Sequence, residues 1–118
     1  MSSHADPYTD APVIDFFAGG WSRELPRVYG ATQEEQIDQT FKNVTHALQE
    51  TGAAPEHIFR TVIYHRPMSQ SALDAVIRNL KELAPNHEPL WTAIEVTRLA
   101  VDEMLIEMDV QAHVPSKV

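Results

Sequence analysis

The sequence contains no cysteine, and this absence excludes several kinds of chemistry. Thiol nucleophiles, a disulfide framework and thiolate metal sites all require that residue. No apolar run approaches the ~18 residues that a membrane-spanning helix needs, so we expect no membrane contact. The first dozen residues carry neither a basic segment nor an apolar one, which predicts no secretory signal and a cytoplasmic location.

Positive charge is also scarce. Nine Lys and Arg residues oppose seventeen Asp and Glu residues, the formal net charge is −8, and the basic residues are scattered along the chain. Binding to a phosphate backbone requires clustered Lys and Arg, so we expect no nucleic-acid partner. The six histidines show neither HxH nor HExxH spacing, which predicts no metal site. His65 could face a cleft as an acid or base, but a solvated strand end is the favoured interpretation.

The composition that remains is typical of one globular domain. Of the 118 residues, 43% are apolar and 22% are charged. A chain of this length buries roughly 60 to 70% of its unfolded surface, which is enough for one core without a metal or disulfide. Four Gly and eight Pro residues are too few for a low-complexity segment. We predict a single domain over residues 1–118.

Two helices and four strands are predicted from the spacing of apolar residues. The first helix, about 33–51, follows a capping signature at Thr32 and ends at Gly52. The second is predicted to be capped by Ser71 and ended by Pro85. The predicted strands cover residues 13–18, 58–65, 90–97 and 104–113.

The order β-α-β-α-β-β predicts an α+β fold, a two-layer sandwich in which both helices cover one face of a mixed sheet. The last strand alternates strictly, so its apolar residues should lie under the helices and its acids on the other face. We expect the last two strands to be antiparallel neighbours, with Trp91, Ala93 and Glu95 on the acidic face. A sheet face that mixes apolar side chains with carboxylates is typical of a subunit interface containing a cleft.

The acids of this face have plain structural interpretations when spacing alone is considered. Glu107 and Asp109 both fit charged residues on the exposed side of a strand, since alternation predicts polar residues there. A carboxylate pair between Glu95 and Glu107 is conceivable, but ion pairs with Arg98 or Arg60 are favoured over it.

Two other features suggest a ligand site or an interface. Trp91 fits either the aromatic wall of a ligand pocket or an anchor between subunits. Gly19 and Gly20 are too short a segment for a phosphate loop and fit a strand end that a ligand or another backbone approaches closely.

Separated segments of the chain share the order and spacing of a known family. Residues 93–99 (AIEVTRL) and 105–112 (LIEMDVQA) are similar to a C-terminal signature in which CVEVARLP precedes KIEIEAIA. Residues 6–11 (DPYTDA) are similar to GPYSQA, and residues 36–64 fit the same family's central helix and strand. The chain thus resembles the RidA/YjgF family over nearly its whole length, with a shortened hairpin near residues 11–15 and gaps in the loop at 21–31.

This resemblance implies a RidA/chorismate-mutase-like fold assembled as a homotrimer. Clefts between subunits of such proteins hydrolyse reactive enamines and imines to ammonia and a keto acid, without metal or organic cofactor. A Glu of the last strand positions water, while a Tyr and a Gly backbone near the N-terminus line the pocket. Carried over by position, these are Glu107, Tyr8 and Gly19.

The resemblance fails at the residue that binds the substrate carboxylate. The family has an Arg in a PARS motif, whereas residues 89–92 read PLWT and place Trp91 there. A guanidinium offers a fixed fork of donors, but an indole offers one N–H, so this exchange removes the carboxylate clamp. The family's pocket Asn falls on Ile77, or on Asn79 after a small shift.

The resemblance therefore implies a divergent member with Tyr8, Gly19, Ile77, Trp91 and Glu107 around its cleft. The leading hypothesis is a cytoplasmic, cofactor-independent homotrimeric enzyme that acts on a small imine-like or enamine-like substrate by acid–base chemistry with water. It would not be a standard 2-aminoacrylate deaminase. The alternative is a non-catalytic trimeric protein that binds a metabolite or regulates a partner. Ribonuclease activity fits poorly with a net charge of −8.

Overall fold

The computed structural model describes residues 12–115 and confirms the predicted order of elements. No helix in this range is long and apolar enough to cross a membrane. The elements are β1 (Val13–Gly19), α1 (Gln33–Thr51), a 3-10 turn (Pro55–His57), β2 (Ile58–His65), α2 (Gln70–Leu83), β3 (Leu90–Glu95) and β4 (Ile106–His113).

Helix α1 begins and ends where its sequence predicts. The hydroxyl of Thr32 accepts a hydrogen bond from the backbone N–H of Glu35 at 3.1 Å, which satisfies one of the free donors of the first turn. Gly52 ends the helix in the left-handed region at φ 83°, a conformation that glycine adopts without steric cost. The apolar side chains that α1 buries are Ile37, Phe41, Val44 and Leu48.

Helix α2 has its cap two residues before the predicted one. Ser69, in extended conformation, accepts a hydrogen bond from the backbone N–H of Ala72 at 3.1 Å, and Ser71 lies inside the helix. The prediction that Ser71 is the cap is wrong, because the extended backbone needed for a side chain to reach the third N–H is found at Ser69. The predicted end before Pro85 is confirmed.

The four strands form one mixed sheet in the order β1-β4-β2-β3. Strand β4 is antiparallel to both β1 and β2, whereas β3 pairs with β2 alone and runs parallel to it. The predicted antiparallel pairing of the last two strands is therefore wrong. Helix α2 connects β2 to β3, and a strand reached through a crossover helix returns parallel to the strand that precedes it.

Both helices lie on one side of the sheet, as predicted. The face beneath them, the covered face, includes Ile106, Met108, Val110 and Ala112 of β4, all essentially inaccessible to solvent. Residues that pair across strands point to the same side, so Thr61, Ile63 and His65 of β2 also belong to the covered face.

The opposite side of the sheet, the open face, has no helix over it within residues 12–115. The pairing registers assign it Val13, Asp15, Phe17 and Gly19 of β1, Arg60, Val62 and Tyr64 of β2, Leu90, Thr92 and Ile94 of β3, and Glu107, Asp109, Gln111 and His113 of β4. Val13, Phe17, Leu90 and Ile94 are large apolar side chains exposed to solvent there. The open face therefore mixes apolar and acidic groups.

One prediction about these faces is wrong. Trp91, Ala93 and Glu95 pair with Thr61, Ile63 and His65, so they belong to the covered face and not to the acidic one. The prediction assumed that β3 lies next to β4. In the structure β3 pairs with β2, and this pairing decides which of its side chains lie on the covered face.

Candidate functional site

Glu107 lies on the open face between two neighbouring strands. Gly19 of β1 is directly opposite it on one side, and Tyr64 of β2 is directly opposite on the other. The Glu107 side chain is half-buried. Because a glycine stands at the β1 position, no side chain from that strand covers the carboxylate.

The start of β4 is held in place by a buried glutamine of α1. The side-chain amide of Gln36 donates to the carbonyls of Gly30 and Glu103 at 3.0 and 2.9 Å, and its oxygen accepts from the N–H of Leu105 at 2.9 Å. All three contacts use the polar atoms of one inaccessible side chain. Glu107 therefore projects from a strand whose first residues are fixed to the helix layer.

The backbone of Gly19 is also fixed by α1. The amide of Asn43 donates to the carbonyl of Gly19 at 2.8 Å and to that of Trp21 at 2.9 Å. A Cβ atom added at Gly19 would lie 2.7 Å from Cζ3 of Trp21, so the ring would have to move to admit a side chain there. The group that lies against this glycine is the Trp21 ring, whereas the sequence predicted a ligand or another backbone. Arg27 stacks on the same ring, with its guanidinium carbon 5.6 Å from the ring centroid.

A pair of aspartates lies next to Glu107 on the open face. Asp109 of β4 hydrogen-bonds Asp15 of β1, and Oδ1 of Asp109 is buried without a hydrogen-bond partner among the described residues. Burial, the hydrogen bond with Asp15 and the negative charges of Asp15 and Glu107 raise the pKa of Asp109 to about 6, against the attraction of Arg60. Asp109 therefore keeps its proton to a higher pH than an ordinary aspartate does.

The carboxylate pair of Glu95 with Glu107, the less favoured of the two interpretations, does not occur. Glu95 lies on the covered side of the edge strand, where its carboxylate accepts a hydrogen bond from the backbone N–H of Met68 at 3.2 Å. Glu107 lies on the open face, so the sheet separates the two groups. Among residues 12–115, Asp15 and Asp109 are two carboxyl groups that do lie close together.

His65 occupies a position that neither sequence interpretation anticipated. Its side chain is inaccessible to solvent on the covered face, next to Ile106 of β4. Neither ring nitrogen has a hydrogen-bond partner among residues 12–115, and burial lowers the pKa of the imidazole. The solvated position is wrong, and the ring packs in the core and not in a cleft. Within the described range, no group of three or more His, Asp or Glu side chains is placed to hold a metal ion.

A cavity of about 470 Å³ lies between α2 and β3, on the covered side of the sheet edge. Ile77 and Leu80 of α2 and Trp91 of β3 contribute apolar walls, and the loop between the two elements forms the rest. Its volume is within the range of small-molecule pockets. Two of the predicted site residues, Ile77 and Trp91, therefore meet in one cavity.

The alternative residue Asn79 points elsewhere. Its amide donates to a carboxylate oxygen of Asp38 on α1 at 2.9 Å and to the carbonyl of Ala75 at 2.8 Å. It joins the two helices and does not line the cavity of Trp91.

Within one chain, the predicted site residues form two separate pairs. Gly19 and Glu107 lie together on the open face, whereas Ile77 and Trp91 lie together behind the covered side of the edge strand. Tyr8 lies outside the described residues. A single protomer therefore does not bring the whole predicted site together.

A comparison with protein families decides the relationship. The family model described as endoribonuclease L-PSP matches residues 7–114. The chain belongs to this family. The resemblance to RidA/YjgF proteins is thereby confirmed, while no curated protein matches the chain at a significant level.

Solved structures of Rid and YjgF proteins share the fold of this L-PSP family chain. YyfB from Yersinia pestis, a protein of unknown function of the Rid family, is 24% identical with a TM-score of 0.77, over 86% of this chain and 77% of its own. A YjgF/YER057c/UK114 family member from Mycobacterium tuberculosis is 23% identical with a TM-score of 0.70, over 88% and 80%. A YjgF family protein from Neisseria meningitidis is 22% identical with a TM-score of 0.69, over 90% and 82%. At these identities the likeness establishes the fold alone.

Sequence reasoning missed three features of this L-PSP family member. The Asp15–Asp109 pair joins residues from the first and last strands, and only the strand register brings them together. The contact of Trp21 with Gly19 depends on a turn that has no apolar period. Lys81, in the last turn of α2, lines the cavity of Trp91, and its position four residues after Ile77 was a signal that could have been used.

Proposed function

We propose that the protein is an enzyme that acts on a small imine-like or enamine-like metabolite by acid–base chemistry with water, in a cleft between subunits. One observation carries the proposal: Glu107, at the position of the family's water-positioning Glu, is a half-buried carboxylate on the open face, with glycine on one side and Tyr64 on the other. A half-buried carboxylate that keeps part of its surface exposed can contact a substrate and a water molecule.

The cleft in this proposal is formed by two protomers. Glu107 and Gly19 lie on one side of the sheet and Trp91 and Ile77 on the other, so the pairs meet only if the edge strand of one protomer approaches the open face of another. The exposed apolar residues of the open face support such an assembly, because burying them against another copy is favourable. A homotrimer, the family's assembly, is the arrangement that we propose.

The reaction is written for an imine. Glu107 accepts a proton from water as the water oxygen bonds to the imine carbon, and it returns this proton to the nitrogen to give a carbinolamine. Glu107 then accepts the hydroxyl proton of the carbinolamine as the carbonyl forms, and it passes that proton to the nitrogen as the carbon–nitrogen bond breaks and ammonia is released. Trp91 would cover the apolar part of the substrate, and Tyr8 would complete the cleft. No cofactor is required by these steps.

The substrate class follows from the departure at Trp91. An indole and the Ile77 side chain offer apolar surface where the family has a guanidinium and an amide. We therefore propose a substrate with an apolar or aromatic body and not 2-aminoacrylate, which has little apolar surface to bury. The net charge of −8 and the acids of the open face argue against RNA as the substrate.

Replacing Glu107 with Gln tests the proposal. Gln keeps the shape but cannot carry a proton at neutral pH, so turnover of an apolar imine or enamine should fall by ~10² to 10⁴ while the melting temperature and the mass of the assembly stay unchanged. The matched control is Glu103→Gln, four residues earlier and exposed, which should keep full turnover. Unchanged turnover in Glu107→Gln would remove this carboxylate from the mechanism.

The second candidate is a non-catalytic trimeric protein that binds a metabolite or regulates a partner. The observation that favours it is the separation of the Trp91 cavity from Glu107 within one chain, because that cavity is a complete pocket without this acid. Binding of an apolar metabolite with no turnover of any imine or enamine tested would support this candidate.

A further inference from the structure

The cavity of Trp91 combines apolar walls with charged groups at its rim. Ile77, Leu80 and Trp91 provide the apolar surface, while Lys81 and Glu88 are the Lys and the Glu of its lining. Both charged residues are exposed, and they form no ion pair with each other. The space between them is open to a ligand that carries its own charge.

Lys81 is placed to reach over this cavity. It follows Ile77 by four residues on α2, so both side chains lie on the same helix face. Its aliphatic stem can lie along the apolar wall while the ammonium group stays at the rim in contact with water. Within residues 12–115, Lys81 makes no hydrogen bond or ion pair, so its donors are available to a ligand.

We propose that Lys81 binds the carboxylate of a small monocarboxylic acid whose apolar body packs on Trp91 and Ile77. This assignment rests on the proposed function in one respect, since it treats the cavity as the substrate half of the cleft. The residue that recognises the anion is then on helix α2, whereas Trp91 is on the edge strand β3. The ligand enters with its apolar end against the indole and its acid at the rim.

Glu88 limits the charge of that ligand. It stands on the loop side of the rim, so a second carboxylate on the ligand would lie near a fixed negative charge. His87, also in the lining, is held through a hydrogen bond from its Nε2 to the carbonyl of Ile58 at 2.7 Å, which anchors the loop that carries Glu88. The rim therefore favours one negative charge and disfavours two.

Direct binding measurements on the assembled full-length protein test this assignment. The probes are 3-phenylpropionate, its neutral amide 3-phenylpropanamide and the dianion phenylsuccinate. Titration calorimetry gives the affinities, and NMR follows the two indole N–H signals, which Trp21→Phe assigns. We expect 3-phenylpropionate to shift the Trp91 signal and to bind more tightly than the other two probes, with an affinity that weakens in high salt.

Lys81→Met is the decisive variant, because Met keeps the apolar stem. It should weaken 3-phenylpropionate binding about fivefold to tenfold and leave 3-phenylpropanamide unchanged, and Lys81→Arg should retain most of the preference for the acid. Lys42→Met, the same substitution at an exposed position on α1 outside this cavity, should change neither affinity. Any one of three results would overturn the assignment. They are a ratio of acid affinity to amide affinity that is unchanged in Lys81→Met, a shift of the Trp21 indole signal without a shift of the Trp91 signal, and no detectable binding of the acid.

These measurements separate this assignment from the proposed catalysis. Glu103→Gln, at an exposed position outside the cavity, should bind 3-phenylpropionate as the wild type does. Binding that depends on Lys81 in a protein without turnover would retain the anion site and reject the enzyme. If turnover is lost in Glu107→Gln and binding of the acid does not depend on Lys81, the enzyme is retained and the anion site is rejected.

Discussion

The two faces of the sheet differ in what they bury and in how they respond to protons. The covered face buries His65 among apolar side chains, and burial lowers the pKa of its imidazole. On the open face, the pKa of Asp109, which lies beside Asp15, is raised to about 6. Acid should therefore destabilise the first face and stabilise the second, so one small domain carries two opposite responses to pH.

The largest expected effect tests whether the open face, unlike the covered face, is a contact between subunits. Phe17 is 59% exposed on the edge strand β1, on the open face and directly opposite Asp109. If that face is a subunit interface, Phe17→Lys should convert the assembly to a 13.3 kDa monomer in light scattering, because an unpaired charge would be buried.

The control for Phe17 is Leu25→Lys. Leu25 is 84% exposed on the loop before α1, away from the sheet, and its substitution should leave the mass unchanged. A wild-type protein that is already monomeric at micromolar concentration would contradict the interface and the two-protomer cleft.

A smaller effect is expected at His65. Its pKa is lowered by burial in the folded state, so the unfolded chain binds a proton more readily, and stability is lost as pH falls below the ordinary value of 6.5. The slope is at most about 1.4 kcal/mol per pH unit for one proton. Relative to His65→Leu, the wild type should lose stability between pH 6.5 and 5 in urea titrations.

His46 provides the matched control for this pH dependence. It is an accessible histidine on α1 that contacts Glu50 at 2.7 Å, so its replacement by Leu should preserve the acid-dependent loss. If the difference in stability between the wild type and His65→Leu does not change with pH, His65 is not the group that causes the loss of stability in acid.

The smallest effect is expected at the aspartate pair and has the opposite sign. The pKa of Asp109 is raised in the folded state, so the stability it contributes is fully present below the ordinary value of 3.8 and is lost as pH rises through about 6. Asp109→Asn should therefore be more stable than the wild type above pH 6, by about 1 kcal/mol after allowance for solvent screening, with no difference near pH 4.

Asp102→Asn, in the exposed loop before β4, controls for the loss of one negative charge and should show no such crossover. Urea titrations across the same pH range measure both variants. A constant difference between Asp109→Asn and the wild type at every pH would mean that folding does not raise the pKa of Asp109.

The order of helices and strands and the alternation of β4 could be predicted from the sequence, whereas the strand that neighbours β3 could not. Thr32, Gly52 and Pro85 mark helix ends through local backbone chemistry, which a linear reading can detect. The face of Trp91 depends on which strand lies next to it, and that is decided by packing of α2 against the sheet. The same limit applies to the site: Glu107 could be assigned to a face, whereas the partner of Asp109 comes from the other end of the chain.

The edge position of β3 has a consequence for engineering. Trp91 sits on a strand that hydrogen-bonds to β2 alone, and its side chain packs against the edge of the core and also lines a cavity. A residue with one neighbouring strand and free volume beside it tolerates side chains of different size better than a fully enclosed residue does. Libraries at positions 77, 81 and 91 would therefore change the walls of the cavity while the rest of the scaffold stays constant.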